Sequence, residues 1–322
     1  MLKAVSLFAG CGGADCGMLG DFTFNKKKYP KLPFALVYAL DIDGKAINTH
    51  KLNFKCGNVV VGDIRHVHED SIPGHDVLIG GFPCQSFSTV NPTKDPTDDR
   101  AHLYKDMVRV VKAKQPKVFI AENVKGFMIL QKGAIIKKVT EEFEAAGYKV
   151  STALINAAEY GVPQRRERVF MVGVRKDINR EFKFPAPTTA NNPIPLSVAV
   201  HKLAIDETKY YFSERAVQGM KNAKSNMKRG LAQNLNEPCL TVTSHLAKAS
   251  LNSRDPVLLV DAEKEIYRRF TPREAARIQS FPDEFEFAGG DVDAYRQIGN
   301  AIAPVVFWHL AKSVAELLEN YI

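Results

Sequence analysis

The chain has 322 residues, 45% hydrophobic and 25% charged, with a formal net charge of +8 and an isoelectric point near 9.1. This composition predicts a soluble globular protein with room for one large domain and a smaller one. It excludes a transmembrane helix, because no apolar stretch approaches the roughly 18 residues required. The five cysteines, at 11, 16, 56, 84 and 239, form no Cys-x-x-Cys pair. That spacing offers neither a disulfide framework nor a zinc site, so no metal is expected, and free thiols fit a reducing cytoplasm. The positive balance is compatible with a polyanionic partner without specifying one.

In chain order, the first 175 residues alternate short β-rich apolar runs with helix-like stretches, which predicts an α/β fold with a parallel sheet and crossover helices. The predicted strands are 4–8, 34–40, 58–61, 76–79, 117–121, 150–155 and 168–174. Five of these runs end on residues able to do chemistry: the turn Gly10-Cys11-Gly12-Gly13, then Asp41, Asp63, Cys84 and Glu122. One carboxylate at such a place is more often a helix N-cap. Five such ends along one edge describe a lined crevice, because open α/β sheets bind ligands outside the carboxyl ends of their strands.

The glycine turn allows close approach of a ligand and opens a helix. Its spacing is not Gly-x-Gly-x-x-Gly, since Asp15 stands two residues beyond Gly13. A nucleoside without phosphates fits better than a dinucleotide, and S-adenosylmethionine is the common one; a nicotinamide or flavin enzyme is the competing reading. On the first reading Asp63 accepts from the adenine amine and Phe8 lies against the ring. Cys84 follows Gly80-Gly81-Phe82-Pro83, a stiff turn out of the fourth strand. A lone cysteine is more often a packed small hydrophobe, but this one sits where the sheet does its chemistry.

Beyond 176 the texture changes. Residues 185–195, with Pro185, Pro187, Asn191, Asn192, Pro193 and Pro195, read as a linker. Within the unpatterned stretch that follows, 221–254 carries Lys221, Lys224, Lys228, Arg229, Lys248 and Arg254 against Glu237 alone, which marks a small basic domain. Regular patterning returns near 266, and Ala303 to Tyr321 is predicted to form an amphipathic helix that packs back on the first domain.

Read together, the motifs resemble the C5-cytosine DNA methyltransferases of bacteria and phages, of the restriction–modification type. They are Phe8-Ala-Gly10-x-Gly12-Gly13; Gly81-Phe82-Pro83-Cys84-Gln85; Glu122-Asn123-Val124; Gln164-Arg165-Arg166-Glu167-Arg168; the run Arg269 to Pro282 with Thr271, Glu274, Arg277, Gln279 and Phe281; and Gly299-Asn300-Ala301. The likeness covers nearly the whole chain except 185–265. It implies a Rossmann-like S-adenosylmethionine-dependent methyltransferase domain over 1–184, an inserted small target recognition domain over 185–268, and a return to the catalytic domain over 269–322.

The implied activity is DNA (cytosine-5) methylation. Carbon 5 of cytosine is a poor nucleophile until a thiolate, here that of Cys84, adds at C6. By resemblance Glu122 holds N3 and the exocyclic amine, which requires a raised carboxyl pKa. Arg168 donates to O2 in an oxyanion-type role, with Arg166 beside it. The cofactor would be held by Phe8, Gly10, Gly12, Gly13, Asp41, Ile42, Asp63, Ile64, Pro83, Leu103 and Asn300. The target base must be flipped out of the duplex. Ser86 to Arg100 then reads as a closing lid, with Gln85, Ser86, Ser88, Val90 and Arg100 on DNA. Gln164, Arg165, Lys228, Arg229, Thr241 and Thr243 complete the implied DNA surface. Asp41 stands where glutamate is usual, Ile42 where an aromatic residue is frequent, and Ile278 and Ser280 replace the more frequent leucine and glycine. Double-stranded DNA is the implied partner, with a restriction endonuclease as functional companion, in a monomer of the cytoplasm of a bacterial or phage-infected cell. A tRNA methyltransferase of the same fold and a non-catalytic DNA-binding relative are the alternatives.

Overall fold

The protein is described here by a computed structural model covering residues 1–83, 103–201, 208–223, 232–248 and 256–321. The expectations for Cys84, Gln85, Ser86, Ser88, Val90, Arg100, Lys228 and Arg229, and for a lid over Ser86 to Arg100, lie outside the described residues.

The strands are β1 (Leu2–Leu7), β2 (Phe22–Phe24), β3 (Lys27–Tyr29), β4 (Phe34–Asp41), β5 (Val59–Val61), β6 (Val77–Gly80), β7 (Val118–Val124), β8 (Tyr148–Asn156), β9 (Gln164–Arg165), β10 (Glu167–Arg175), β11 (Cys239–Leu240), β12 (Leu258–Asp261) and β13 (Ile266–Arg268). Seven of them form one sheet in the order β5-β4-β1-β6-β7-β10-β8, and these are the seven runs expected from sequence. They are continuous apolar runs because helices cover both faces. Side chains alternate between two apolar layers: Val77, Ile79, Val118 and Ile120 face one, while Leu78, Phe119 and Ala121 face the other.

One expectation needs correction. The sheet is not wholly parallel, because β10 runs antiparallel to both β7 and β8. The physical reason is the connection. Between Asn156 and Glu167 there is a single 3-10 turn, Ala157–Tyr160, and the two-residue β9, which is too little chain for the crossover a parallel partner demands.

The helices are α1 (Gly13–Leu19), α2 (Gly44–Asn53), α3 (Leu103–Lys114), α4 (Gly126–Ile129), α5 (Ala134–Ala145), α6 (Glu214–Ala223), α7 (Pro272–Ile278), α8 (Asp291–Asn300) and α9 (Pro304–Leu317). Met107 and Val111 of α3 and Val139 and Phe143 of α5 fill one layer. In the other, α9 lies against α1 so closely that a Cβ on Gly17 would come within 2.4 Å of the Pro304 carbonyl oxygen. The expected amphipathic helix is thus mostly buried. No described helix is long and apolar enough to cross a membrane.

The stretch 185–268 is tied into this frame. Its Leu196, Ala199, Cys239, Val242, Leu246 and Leu258 belong to the α1–α9 layer, and β11 pairs in parallel with β9. A small cluster of its own joins Val217, Met220 and Val257, with Phe212 and Tyr267 packed on it. Strand order reverses at β1, with β4 on one side and β6 on the other. That switch point sets the place of the crevice.

Candidate active site

A cavity of about 840 Å³ opens over the carboxyl ends of β1, β4, β6 and β7. At one end lies the glycine turn. Gly10 has φ +56 and open space where a Cβ would stand, and its N–H donates to Asp41 Oδ2 at 2.7 Å. Asp41 Oδ1 accepts from the Asp43 amide at 2.8 Å. Burial raises the Asp41 pKa, against the pull of the Asp43 and Gly10 amides. Phe8, itself at φ 55, lines the cavity with Gly10, Gly13, Asp41 and Ile42. Ile42 is 67% exposed, an apolar side chain left standing on the rim. Cys11 also lines the cavity, but burial pushes its thiol up to about 12. It stays protonated at neutral pH and is no rival nucleophile.

At the other end lie Gly81, Phe82 and Pro83, the turn that leads to Cys84, facing Glu122, Arg166 and Arg168. Glu122 is on β7 and Arg168 on β10, adjacent strands whose register sets Arg168 across from Val124. Arg168 Nε and Glu122 Oε1 are 3.0 Å apart. Burial raises the Glu122 carboxyl above its ordinary value, opposed by Arg168 and Arg166. Asn123, the unassigned member of Glu122-Asn123-Val124, is buried, and its Nδ2 donates to the Phe82 carbonyl at 3.1 Å. It pins the turn before Cys84 to the strand carrying Glu122. The sequence marked this residue only as part of a motif.

Arg166 lines the cavity but is nearly inaccessible. Its guanidinium donates to the carbonyls of Val242 at 3.1 Å, Gly299 at 2.9 Å and Ala301 at 3.0 Å. Arg168, paired with Glu122, is the less buried of the two, while the terminal nitrogens of Arg166 are spent on carbonyls of the wall. Asn300 lines the cavity as expected. Its neighbours Gln297, Ala301 and Ile302, not singled out as cofactor residues from sequence, line it too.

Several expected site residues are placed elsewhere. Asp63 does not line the cavity. Its carboxylate receives the Arg65 amide at 3.0 Å and the Arg65 guanidinium at 2.5 Å, and Arg65 holds its pKa down at about 2. Ile64 and Leu103 pack in the apolar layer filled by α3 and α5. Gly12 is not in the lining either; at φ +92 it makes room for Phe54, whose ring a Cβ would meet at 2.3 Å. Gln164, expected on DNA, is fully buried. Its amide is consumed by the Val242 N–H at 2.9 Å, the Ile278 carbonyl at 3.2 Å and Gln279, which leaves it no access to a duplex. Arg165 is half-exposed and paired with Glu237 at 2.6 Å. Thr241 Oγ1 donates to the Arg165 carbonyl at 2.8 Å, and Thr243 Oγ1 accepts from the His245 amide at 3.2 Å. Lys221 pairs with Glu265.

Among the described residues no group of histidine, cysteine and carboxylate side chains is arranged to hold a metal ion. The cavity does fit an uncharged-sugar nucleoside. The open face at Gly10, the Asp41 carboxylate and the apolar Ile42 and Phe8 give it a polar end for hydroxyls and apolar flanks for a base.

Comparison with known proteins agrees with this geometry. Residues 2–316 match the family described as C-5 cytosine-specific DNA methylase. The chain is 34% identical to the Type II methyltransferase M1.ScrFI of Lactococcus lactis subsp. cremoris, covering 99% of this chain and 79% of that one. It is 33% identical to the Type II methyltransferase M.NlaX of Neisseria lactamica, covering 99% and 97%. The fold is shared with the crystal structure of a prophage-encoded DNA modification methyltransferase from E. coli, with a TM-score of 0.77 at 24% identity over 99% of this chain and all of that one. It is shared equally with the S. pombe Dnmt2 methyltransferase, with a TM-score of 0.77 at 18% identity over 100% and 99% of the two chains. With a sheet of this order, a cavity lined from these motifs, and a match running from residue 2 to residue 316, the chain belongs to the C-5 cytosine-specific DNA methylase family.

Proposed function

We propose that this DNA (cytosine-5) methyltransferase, which draws its methyl group from S-adenosyl-L-methionine, acts on a flipped-out cytosine in duplex DNA through a covalent bond from Cys84 to C6. The observation that carries the reading is the pairing of Glu122 with Arg168, 3.0 Å apart, in the same cavity as the Gly10–Asp41 turn. An aspartate for ribose hydroxyls at one end and a protonatable carboxyl beside a guanidinium at the other suit a methyl donor and a pyrimidine together.

The donor supplies, when bound, an electrophilic methyl group. Phe8, Gly10, Asp41, Ile42 and Asn300 would hold it. Each remaining step belongs to the chain and the base. The Cys84 thiolate forms a bond to C6 as the C5–C6 double bond opens, which makes C5 nucleophilic. Negative charge moves toward N3 and O2. Glu122 in its protonated form donates to N3, and Arg168 donates to O2. Asn123 keeps the Phe82 carbonyl, and with it the turn, in register with Glu122. Once C5 carries the methyl group, loss of the C5 proton to a solvent base, of the thiolate from C6, and of the N3 proton back to Glu122 restores the aromatic ring as 5-methylcytosine.

A companion restriction endonuclease, and a recognition role for 185–268 with Arg165, Lys228, Arg229, Thr241 and Thr243 on DNA, complete the proposal. The test is methyl transfer from labelled S-adenosyl-L-methionine to unmethylated duplex DNA and, in parallel, to tRNA. Label should enter DNA as 5-methylcytosine; label entering tRNA alone would overturn the reading.

A further inference from the structure

In the cavity wall runs a closed ring of buried and part-buried hydrogen bonds that the chemistry does not use. Gln279, fully buried at the end of α7, donates from Nε2 to the Ala301 carbonyl at 2.5 Å and accepts from Gln164 Nε2. Gln164 accepts in turn from the Val242 N–H at 2.9 Å. The Val242 carbonyl accepts from Arg166 at 3.1 Å, and the other terminal nitrogen of Arg166 returns to Ala301 at 3.0 Å. Arg166 and Ala301 line the cavity. Val242 lies between Thr241 and Thr243, the segment expected on DNA. The two stretches touch again at Gly299, where a Cβ would come within 2.2 Å of the Ser244 nitrogen.

We propose that Gln279 is a positioning residue that couples the Thr241–Thr243 segment to the cavity wall, so that duplex DNA and the methyl donor each raise the other's affinity. This rests on the methyltransferase reading above. Both backbone groups of Val242 are bonded within the ring, and so are the carbonyl of Ala301 and both ends of the Gln279 amide. None can be left unpaired in the interior without its full desolvation penalty. Any shift of the segment on DNA must therefore carry Ala301 and Arg166 with it. A coupling of this kind is reciprocal.

The test uses the full chain, S-adenosylhomocysteine as a donor analogue that cannot react, and the unmethylated duplex that the enzyme methylates. In the parent protein the duplex should tighten S-adenosylhomocysteine binding about tenfold by calorimetry. Gln279→Met should leave each ligand's separate affinity within about twofold while cutting the coupling to less than about threefold. Gln279→Glu is isosteric, keeps the acceptor for Gln164 and loses the donor to Ala301; it should lose coupling in the same way and serves if the methionine variant folds poorly. A residue that only braces the fold would lower stability and both affinities in parallel and leave their coupling intact, which would overturn the proposal. So would a parent protein without coupling. Failure of S-adenosylhomocysteine to bind under any condition would instead contradict the methyltransferase reading.

Discussion

Glu122 is held between opposing influences, and the balance sets its use. Burial favours its neutral form; Arg168 and Arg166 favour the charged one, and the net direction is upward from the ordinary carboxylate value. Between that value and the raised one, the native state binds more protons than the unfolded state. This group's contribution to stability therefore falls as pH rises through the window. Glu122→Gln removes the slope, so the stability of the variant relative to the parent should rise as pH increases above the ordinary glutamate value of 4.5 in thermal melts; a constant difference would contradict the account. The same variant should lose about 10²–10⁴-fold in methylation rate. Glu122 and Arg168 were legible from sequence because each ends or begins a strand at the sheet edge. The roles of Arg166 and Gln164 were not. Their partners lie 76 to 135 residues away, and no local pattern distinguishes an arginine that binds a base from one that binds carbonyls.

At the scale of elements, apolar runs bounded by Gly, Pro and Asp gave all seven sheet strands. They did not give the direction of β10, which follows from the length of the connection. They also left β9 and β11 unseen, because a two-residue pairing across 75 positions carries no periodicity. Ser280, one of the departures from the family pattern, has φ 65, so a glycine there is a backbone requirement rather than a habit. The serine hydroxyl offsets part of its strain by accepting from the Val305 amide at 3.2 Å near the start of α9. Ser280→Ala keeps the strain and loses the bond, while Ser280→Gly loses only the bond. The glycine variant should be the more stable of the two by about 1 kcal/mol in urea unfolding. A second element-scale joint is the Arg268–Glu274 pair, nearly inaccessible, with two contacts at 2.7 Å linking β13 to α7. Glu274 also accepts from the His201 and Thr271 amides at 3.0 and 2.9 Å. Arg268→Met strands that carboxylate and should cost about 3–5 kcal/mol; a loss under about 1 kcal/mol would show that water reaches the site.

For the molecule as a whole, one frame carries both the cavity and the stretch 185–268. The stretch 185–268 shares the α1–α9 layer instead of standing apart, so composition marked where the chain changes character but not how firmly it packs on the rest. The net charge of +8 predicts DNA affinity that falls steeply with salt. Lys228→Ala and Arg229→Ala should each reduce the slope of log affinity against log salt by about 1 without altering the methylated sequence. Altered sequence preference would place them on bases instead of phosphates.

The central claim is that Cys84 attacks C6 of the target cytosine and the methyl group never passes through the Cys84 sulfur. It is tested most directly by incubating the enzyme and S-adenosyl-L-methionine with a duplex carrying 5-fluorocytosine at the target. The fluorine blocks release of the C5 substituent, so a protein–DNA complex stable to denaturant should form with the parent chain and be absent with Cys84→Ala, which should still bind the duplex. A denaturant-stable complex formed by Cys84→Ala, or methylation persisting in that variant, would contradict the account.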